Sequence, residues 1–206
     1  ALGINDAINS DYAKSKLEGE NLVLKNFPLA TILRPSIVYS VDDNFTTNFM
    51  TLLNRLPVFP IYYQGSTKFA PIHCSDLTDT IYHVIENNIY SKIIECVGPE
   101  IITFKEILQR LLSLIAKKRL LLPLPLPFAE MTARLLEIMP KPLLTRDQLR
   151  LLKYDNIASG KYKTNSDIGV PSIRYFNDEV KKYCYMWRDG GQFSTEKYES
   201  NNDIKN

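Results

Sequence analysis

The chain has 206 residues, of which 45% are hydrophobic and 23% charged, and a net charge of +2. This length allows one large core or two small domains, and the composition is that of a folded globular protein. Such a small net charge argues against a nucleic-acid partner. The three cysteines are widely spaced and fit no metal-ligand pattern, which predicts a reducing compartment and no metal site. Without an apolar run of about 18 residues, the chain is expected to be cytoplasmic, with at most peripheral contact at an inner membrane face.

Helices and buried strands alternate in the first half, which is typical of an α/β protein with a parallel sheet. A helix is predicted at 11–27, with Ser10 or Asp11 as its N-cap and Pro28 after its end. The run 29–34 predicts a buried strand, and 35–40 predicts a loop that leaves it. Further helices are predicted at 44–56, from a Ser75 cap and from the Thr103–Glu106 capping box, with extended segments at 57–73 and 92–97.

The second half begins with prolines at 123, 125 and 127, which exclude a regular helix and confine any strand to a sheet edge. Pro127 is predicted to open a helix that continues to Met139. A second capping box, Thr145–Gln148, predicts another helix. After Tyr154 the chain is expected to be irregular, with a last helix near 175–186.

Tyr12 and Lys16 are the candidate functional pair. Four residues apart on the predicted helix, the phenol and the ammonium would share one face. A nearby ammonium favours the phenolate, and would bring a phenol with an ordinary pKa of about 10 toward the range of an acid/base group. The alternative is an ordinary amphipathic helix with a solvated lysine.

Four segments, in this order, resemble the extended short-chain dehydrogenase/reductase superfamily, whose members include NAD-dependent epimerases and dehydratases. They are Tyr12–Lys16 with Glu20, Leu33–Tyr39, Phe69–Asp76, and Val97–Glu100 with Thr103–Phe104. The Leu120–Pro127 run, Pro140–Pro142 and Leu144–Gln148 are similar to an atypical branch, that of the NADP(H)-binding accessory subunit of respiratory complex I (NADH–ubiquinone oxidoreductase). The resemblance covers residues 1 to about 193.

The resemblance implies a nicotinamide site. In it, Tyr12 would be the catalytic acid/base, and Lys16 would bind the nicotinamide ribose and lower the tyrosine pKa. The implied cofactor contacts, for NADP(H) or NAD(H), are Tyr12, Lys16, Pro35, Ser36, Ile37 and Val38. In the complex I branch the same residues hold the cofactor without known turnover.

The resemblance also implies the domain organisation. Residues 1–115 would be the C-terminal part of a Rossmann-like NAD(P)-binding domain, with 42–70 contributing to a smaller mixed domain. Residues 116–193 would form the rest of that small domain, and 194–206 a disordered tail. The family's Gly-x-x-Gly-x-x-Gly turn is absent, and its catalytic Ser or Thr would fall before Ala1. We therefore expect the C-terminal two-thirds of a longer protein.

Three functional hypotheses follow. The first is an NAD(P)-binding subunit with a structural or assembly role among complex I subunits. The second is a soluble NAD(P)-dependent epimerase, dehydratase or reductase that uses Tyr12. The third is a fragment with no function alone.

For Lys117–Arg119 the alternatives are a solvated helix end or a phosphate or anionic-lipid contact. The Leu120–Phe128 run is interpreted as a packed segment, a protein-docking surface or a membrane contact.

Overall fold

The computed structural model describes residues 1–125, 127 and 145–193, and elements are numbered within these ranges. The helices are α1 (Asp11–Asn26), α2 (Thr46–Arg55), α3 (Cys74–Glu86), α4 (Phe104–Leu114), α5 (Arg146–Leu151) and α6 (Phe176–Lys181). The strands are β1 (Ile32–Pro35), β2 (Val38–Tyr39), β3 (Val58–Ile61), β4 (Lys68–Phe69), β5 (Ile72–His73), β6 (Ile93–Cys96), β7 (Ile102–Thr103), β8 (Leu120–Pro123) and β9 (Lys163–Thr164).

A parallel sheet in the order β1-β6-β9 organises the fold. Strand β1 pairs with β6 over four residues, from Ile32 opposite Ile93 to Pro35 opposite Cys96. Three two-stranded sheets accompany it: β2-β5 and β3-β8 are parallel, and β4-β7 is antiparallel. Parallel strands joined by helical crossovers confirm the predicted α/β class.

The largest apolar cluster lies between α2, α4 and the C-terminal segment. Fully buried side chains of α2 and α4 meet there because both helices carry apolar residues at helical spacing. Its members include Met50, Leu53, Ile107, Leu108, Leu111, Phe176 and Val180. A second cluster, with Ile72, Ile94 and Cys96, packs the sheet against α3. Residues distant in sequence therefore share one core.

Most predicted elements lie where the sequence places them, and both capping boxes form. The proline-rich run contains a strand, β8, which pairs only with β3 in the described residues, as expected of a strand that the prolines confine to a sheet edge. The helix predicted near 175–186 is shorter, because α6 ends at Lys181 and a 3-10 turn follows at Cys184–Trp187.

Three expectations need correction. The 35–40 segment is not simply a loop, because Pro35 is the last residue of β1 and Val38–Tyr39 pairs with Ile72–His73 as β2. Helix α3 is capped by His73 rather than Ser75, since the imidazole Nδ1 accepts from the Ser75 backbone N–H at 3.3 Å. The region after Tyr154 contains β9, which extends the main sheet.

The helix predicted from Pro127 to Met139 falls almost entirely outside the described residues, as does the 194–206 tail. The domain boundary near residue 116 stays a prediction.

Candidate functional site

Tyr12 and the four residues Pro35–Val38 line one cavity of about 530 Å³. Its wall also includes residues of the N-terminal segment, of α2, and of α5 and the chain that follows it. This volume is within the range of small-molecule sites. Five of the six residues predicted to contact the cofactor therefore share one concave surface. The sixth, Lys16, is not among the described residues that line the cavity.

Lys16 nevertheless contacts Tyr12. Its Nζ lies 5.6 Å from the centroid of the tyrosine ring, within the distance of a cation–π contact. Both side chains are on the same face of α1, as their spacing predicts. The Tyr12 side chain is 46% exposed, so the phenol is open to a ligand.

The helix that carries Tyr12 is anchored at its first turn by Asp147, from the second capping box. The Asp147 carboxylate accepts from the backbone N–H of Asp11 at 2.8 Å and of Tyr12 at 3.1 Å, and from the Ser10 hydroxyl at 2.9 Å. The Ser10 Oγ in turn accepts from the Ala13 N–H at 3.2 Å. Desolvation raises the pKa of Asp147, but these hydrogen bonds outweigh it and hold the pKa below its usual value.

A second anchor joins the middle of α1 to β1. Glu20 Oε2 accepts from Arg34 Nη2 at 2.6 Å and from Arg34 Nε at 3.0 Å, and Glu20 Oε1 accepts from Nε at 3.2 Å. Both side chains are nearly buried, with 11% and 6% exposed. The Arg34 guanidinium also lies 5.0 Å from the Tyr162 ring centroid. Glu20 is therefore a structural residue that fixes α1 against the strand leading to the cavity.

The turn after β1 is fixed by residues from distant parts of the chain. Pro35 O accepts from the Leu2 N–H at 3.0 Å, and the Ser36 N–H donates to Cys96 O at 2.9 Å. The Ser36 hydroxyl lies 2.7 Å from Asn156 Oδ1, while Asn156 Nδ2 donates to Leu2 O at 3.0 Å. The Ser36 hydroxyl, which donates to Asn156, therefore helps to hold the turn.

Sequence analysis missed Asp147 and Asn156 as site residues. The only local signal for Asp147 was its place in a capping box, and that box explains the start of α5 rather than the anchor on α1. Asn156 stands in the region expected to be irregular and gave no signal. Long-range hydrogen bonds of this kind leave no periodic trace in a sequence.

The predicted basic cluster is partly used within the fold. Arg119 donates to the Leu53 and Asn54 carbonyls at the end of α2, each at 3.0 Å, which is favourable at a helix C-terminus. Lys117 pairs with Asp189 at 2.5 Å. Within the described residues, no group of three His, Cys, Asp or Glu side chains could hold a metal ion.

Comparison with known proteins gives relatives by sequence. The chain is 27% identical over 189 residues to the mitochondrial NADH dehydrogenase (ubiquinone) 1 alpha subcomplex subunit 9 of Dictyostelium discoideum, covering 90% of this chain and 52% of that protein. The Arabidopsis thaliana protein of the same name is 25% identical over 201 residues, covering 92% and 50%. The chain thus spans about half the length of the curated relatives it matches. No family model matches it.

Solved structures show the fold. The dTDP-glucose 4,6-dehydratase of Bacillus anthracis, in complex with NAD, superposes with a TM-score of 0.59 at 14% identity, covering 88% of this chain and 52% of that one. The predicted Rossmann-like architecture is thereby confirmed. The mitochondrial NADH dehydrogenase subunits are homologues of this chain, and its fold is the Rossmann-like fold of the epimerases and dehydratases.

Proposed function

We propose that the chain belongs to a subunit that binds NAD(P) and has a structural role in a mitochondrial NADH dehydrogenase (ubiquinone) complex. The observation that carries the proposal is the shared cavity of Tyr12 and Pro35–Val38, with Lys16 against the Tyr12 ring. The named relatives support the assembly role, since each is a subunit of such a complex.

The residues present fit the nicotinamide end of the cofactor. The Tyr12 phenol is half-exposed, and the turn beside it is held by three hydrogen bonds. The binding surface is therefore preorganised, which lowers the entropy cost of binding. In this proposal the Lys16 ammonium, which lies against the Tyr12 ring, would bind the ribose hydroxyls. The chain contains no Gly-x-x-Gly-x-x-Gly turn of the kind that seats a pyrophosphate, so its contribution is to the nicotinamide half.

The cofactor, when bound, supplies hydride transfer. The chain's own contribution to any chemistry would be the Tyr12 hydroxyl, the proton donor or acceptor that the cavity offers. We assign this site to binding rather than turnover, because the sequence relatives are subunits of a complex.

The proposed location is peripheral, at the inner face of the membrane that holds the complex. In the parts of the chain that the structure describes, no helix has the length and apolar character to cross a bilayer.

The proposal predicts that reduced nicotinamide mononucleotide binds the 206-residue chain and that Lys16→Met weakens this binding ten- to a hundredfold. The loss corresponds to about 1.5 to 3 kcal/mol, the worth of a hydrogen bond from a charged donor. Isothermal titration calorimetry measures it. Lys14→Met is the matched control, because Lys14 is exposed on the same helix and its ammonium pairs with Asp11 at 3.8 Å, whereas the Lys16 ammonium lies against the Tyr12 ring.

Equal weakening by the two substitutions, or no binding of the mononucleotide, would contradict the nicotinamide assignment. An adenosine bisphosphate, which carries only the other half of NADP, should not compete with the mononucleotide.

A further inference from the structure

One wall of the cavity is apolar. It is formed by side chains of α2, β4, the start of α4 and the residue that follows α5: Phe45, Phe49, Leu52, Phe69, Phe104 and Leu152. These residues come from four separate parts of the sequence, so the wall exists only in the folded chain. Tyr12 and Pro35–Val38, the residues assigned to the nicotinamide, are not part of this wall.

The phenylalanine rings of this wall pack against one another. Phe45 and Phe49 are in edge contact with centroids 5.0 Å apart, and Phe49 contacts Phe104 at 5.4 Å. Phe69 lies 6.3 Å from Phe104, and both of these rings are buried. Such edge and tilted contacts fix ring orientation. The wall is therefore a preformed apolar surface rather than a loose collapse of side chains.

The charge of the lining matters as much as its apolar character. Among the described residues that line the cavity there is no Lys or Arg, and Asp155 is the one charged side chain. The Asp155 carboxylate accepts from the Lys68 backbone N–H at 2.8 Å. A diphosphate needs Arg or Lys partners when it leaves water. The described wall offers a nucleotide sugar no such partner.

We propose that this cavity binds an uncharged carbonyl or hydroxyl compound with an aliphatic chain, the chain along the phenylalanine wall and the oxygen toward Tyr12. The inference rests on the proposed function, which assigns the Tyr12 end to the nicotinamide. It names the class of compound that completes the same site, and it distinguishes that compound from nucleotide sugars by the absence of a Lys or Arg side chain in the described lining.

The first test is calorimetric titration of the 206-residue chain with 2-heptanone, 2-nonanone and 2-undecanone. Burial of each methylene raises affinity about fourfold, so each two-carbon step should raise it about fifteenfold until the cavity is filled. The heat capacity change should be negative, the signature of apolar burial. UDP-glucose should not bind. Affinity that does not depend on chain length, or tighter binding of UDP-glucose, would overturn the inference.

The second test places a charge on the cavity wall. Asn48 is an exposed residue of α2 that lines the cavity, so Asn48→Lys changes the site without disturbing the core. It should weaken 2-undecanone binding at least tenfold, whereas Asn48→Leu should strengthen it. Asn21→Lys on α1, exposed and away from the cavity, is the matched control and should leave affinity unchanged. Equal affinities for the two lysine variants would show that the ketone binds elsewhere and overturn the inference.

Titration with reduced nicotinamide mononucleotide separates the two proposals. Suppose that ketone binding depends on chain length and is lost in Asn48→Lys, while the mononucleotide does not bind. This outcome supports the apolar site and overturns the nicotinamide assignment. Mononucleotide binding without ketone binding overturns the apolar site alone.

Discussion

Asp147 anchors the first turn of α1, the helix that carries Tyr12. Its carboxylate receives two backbone N–H groups of the first turn of α1, groups that have no partner inside a helix. A negative charge at this end also complements the helix dipole. The position of Tyr12 at the cavity thus depends on a residue 135 positions away in sequence.

Asp147→Asn should lower the free energy of unfolding at pH 7 by about 1 to 3 kcal/mol, because charge-assisted hydrogen bonds are lost. Since folding lowers this pKa, the contribution is present above the ordinary value of 3.8 and is lost as pH falls through the folded pKa. Wild type and variant should therefore differ at pH 7 and converge in acid. Urea unfolding at pH 7 and pH 3 measures this difference.

The control for that experiment is Asp42→Asn, which alters an exposed loop carboxylate. An Asp147→Asn deficit that persists undiminished at low pH would contradict the role of the carboxylate charge.

The ion pair of Glu20 and Arg34 shows which structural features residue patterns can predict and which they cannot. Both residues stand in segments that carry the family resemblance, and the helix and strand around them were predicted. Their pairing was not, because nothing in a periodic pattern says which buried charge meets which. Removal of either partner would leave the other, a nearly buried charge, without its main counter-charge, so the pair constrains the fold.

At the scale of elements, two glycines have opposite environments. A Cβ atom on Gly98, just after β6, would lie 1.7 Å from the Pro71 carbonyl oxygen. This close approach accompanies the hydrogen bond from the Gly98 N–H to Ala70 O at 3.0 Å. A Cβ on Gly19, in the exposed middle of α1, would meet nothing within 4 Å. Of these two positions, packing requires a glycine only at Gly98.

Gly98→Ala should therefore lower Tm by about 6 to 12 °C, since overpacking against backbone costs about 3 kcal/mol and this chain length gives 2 to 4 °C per kcal/mol. Gly19→Ala should raise Tm by about 2 to 4 °C, because alanine is the better helix former by about 1 kcal/mol. Differential scanning calorimetry compares both with wild type. A Gly98→Ala protein as stable as wild type would refute the close contact.

Elements with strong local signals were predicted well. The capping boxes at Thr103 and Thr145 and the stop at Pro28 define helix ends by chemistry within a few residues. The two-residue strands β2, β7 and β9 were missed, because segments this short have no readable period and form through their partners, which are Ile72–His73, Lys68–Phe69 and Ile94–Glu95. The cap of α3 was misplaced by two residues because an imidazole acceptor replaces the usual hydroxyl.

At the scale of the whole molecule, the cavity is a product of the complete topology. The N-terminal segment, the β1-β2 turn, α2 and α5 each provide part of its wall, and Asn156 ties the N-terminal segment to the β1-β2 turn. The resemblance placed Tyr12 and Pro35–Val38 in one site, but the apolar wall was beyond sequence reasoning because its members come from four separate segments between Phe45 and Leu152. Shape and charge of the wall, rather than the motif, set what the site can hold.

If the subunit has only a structural role, its assembly should depend on its stability and not on the acid/base chemistry of Tyr12. If the subunit acts by being present, Tyr12→Phe should assemble into the NADH dehydrogenase complex and sustain NADH:ubiquinone activity at the wild-type level, because the phenol hydroxyl is not needed for packing at a half-exposed position. Gly98→Ala should reduce the amount assembled, since destabilised subunits are degraded before incorporation. Native gel electrophoresis of membranes from cells that express tagged variants measures assembly, and a rate assay on the same membranes measures activity. Normal assembly of Tyr12→Phe with lost activity would assign this residue to turnover and overturn the structural proposal.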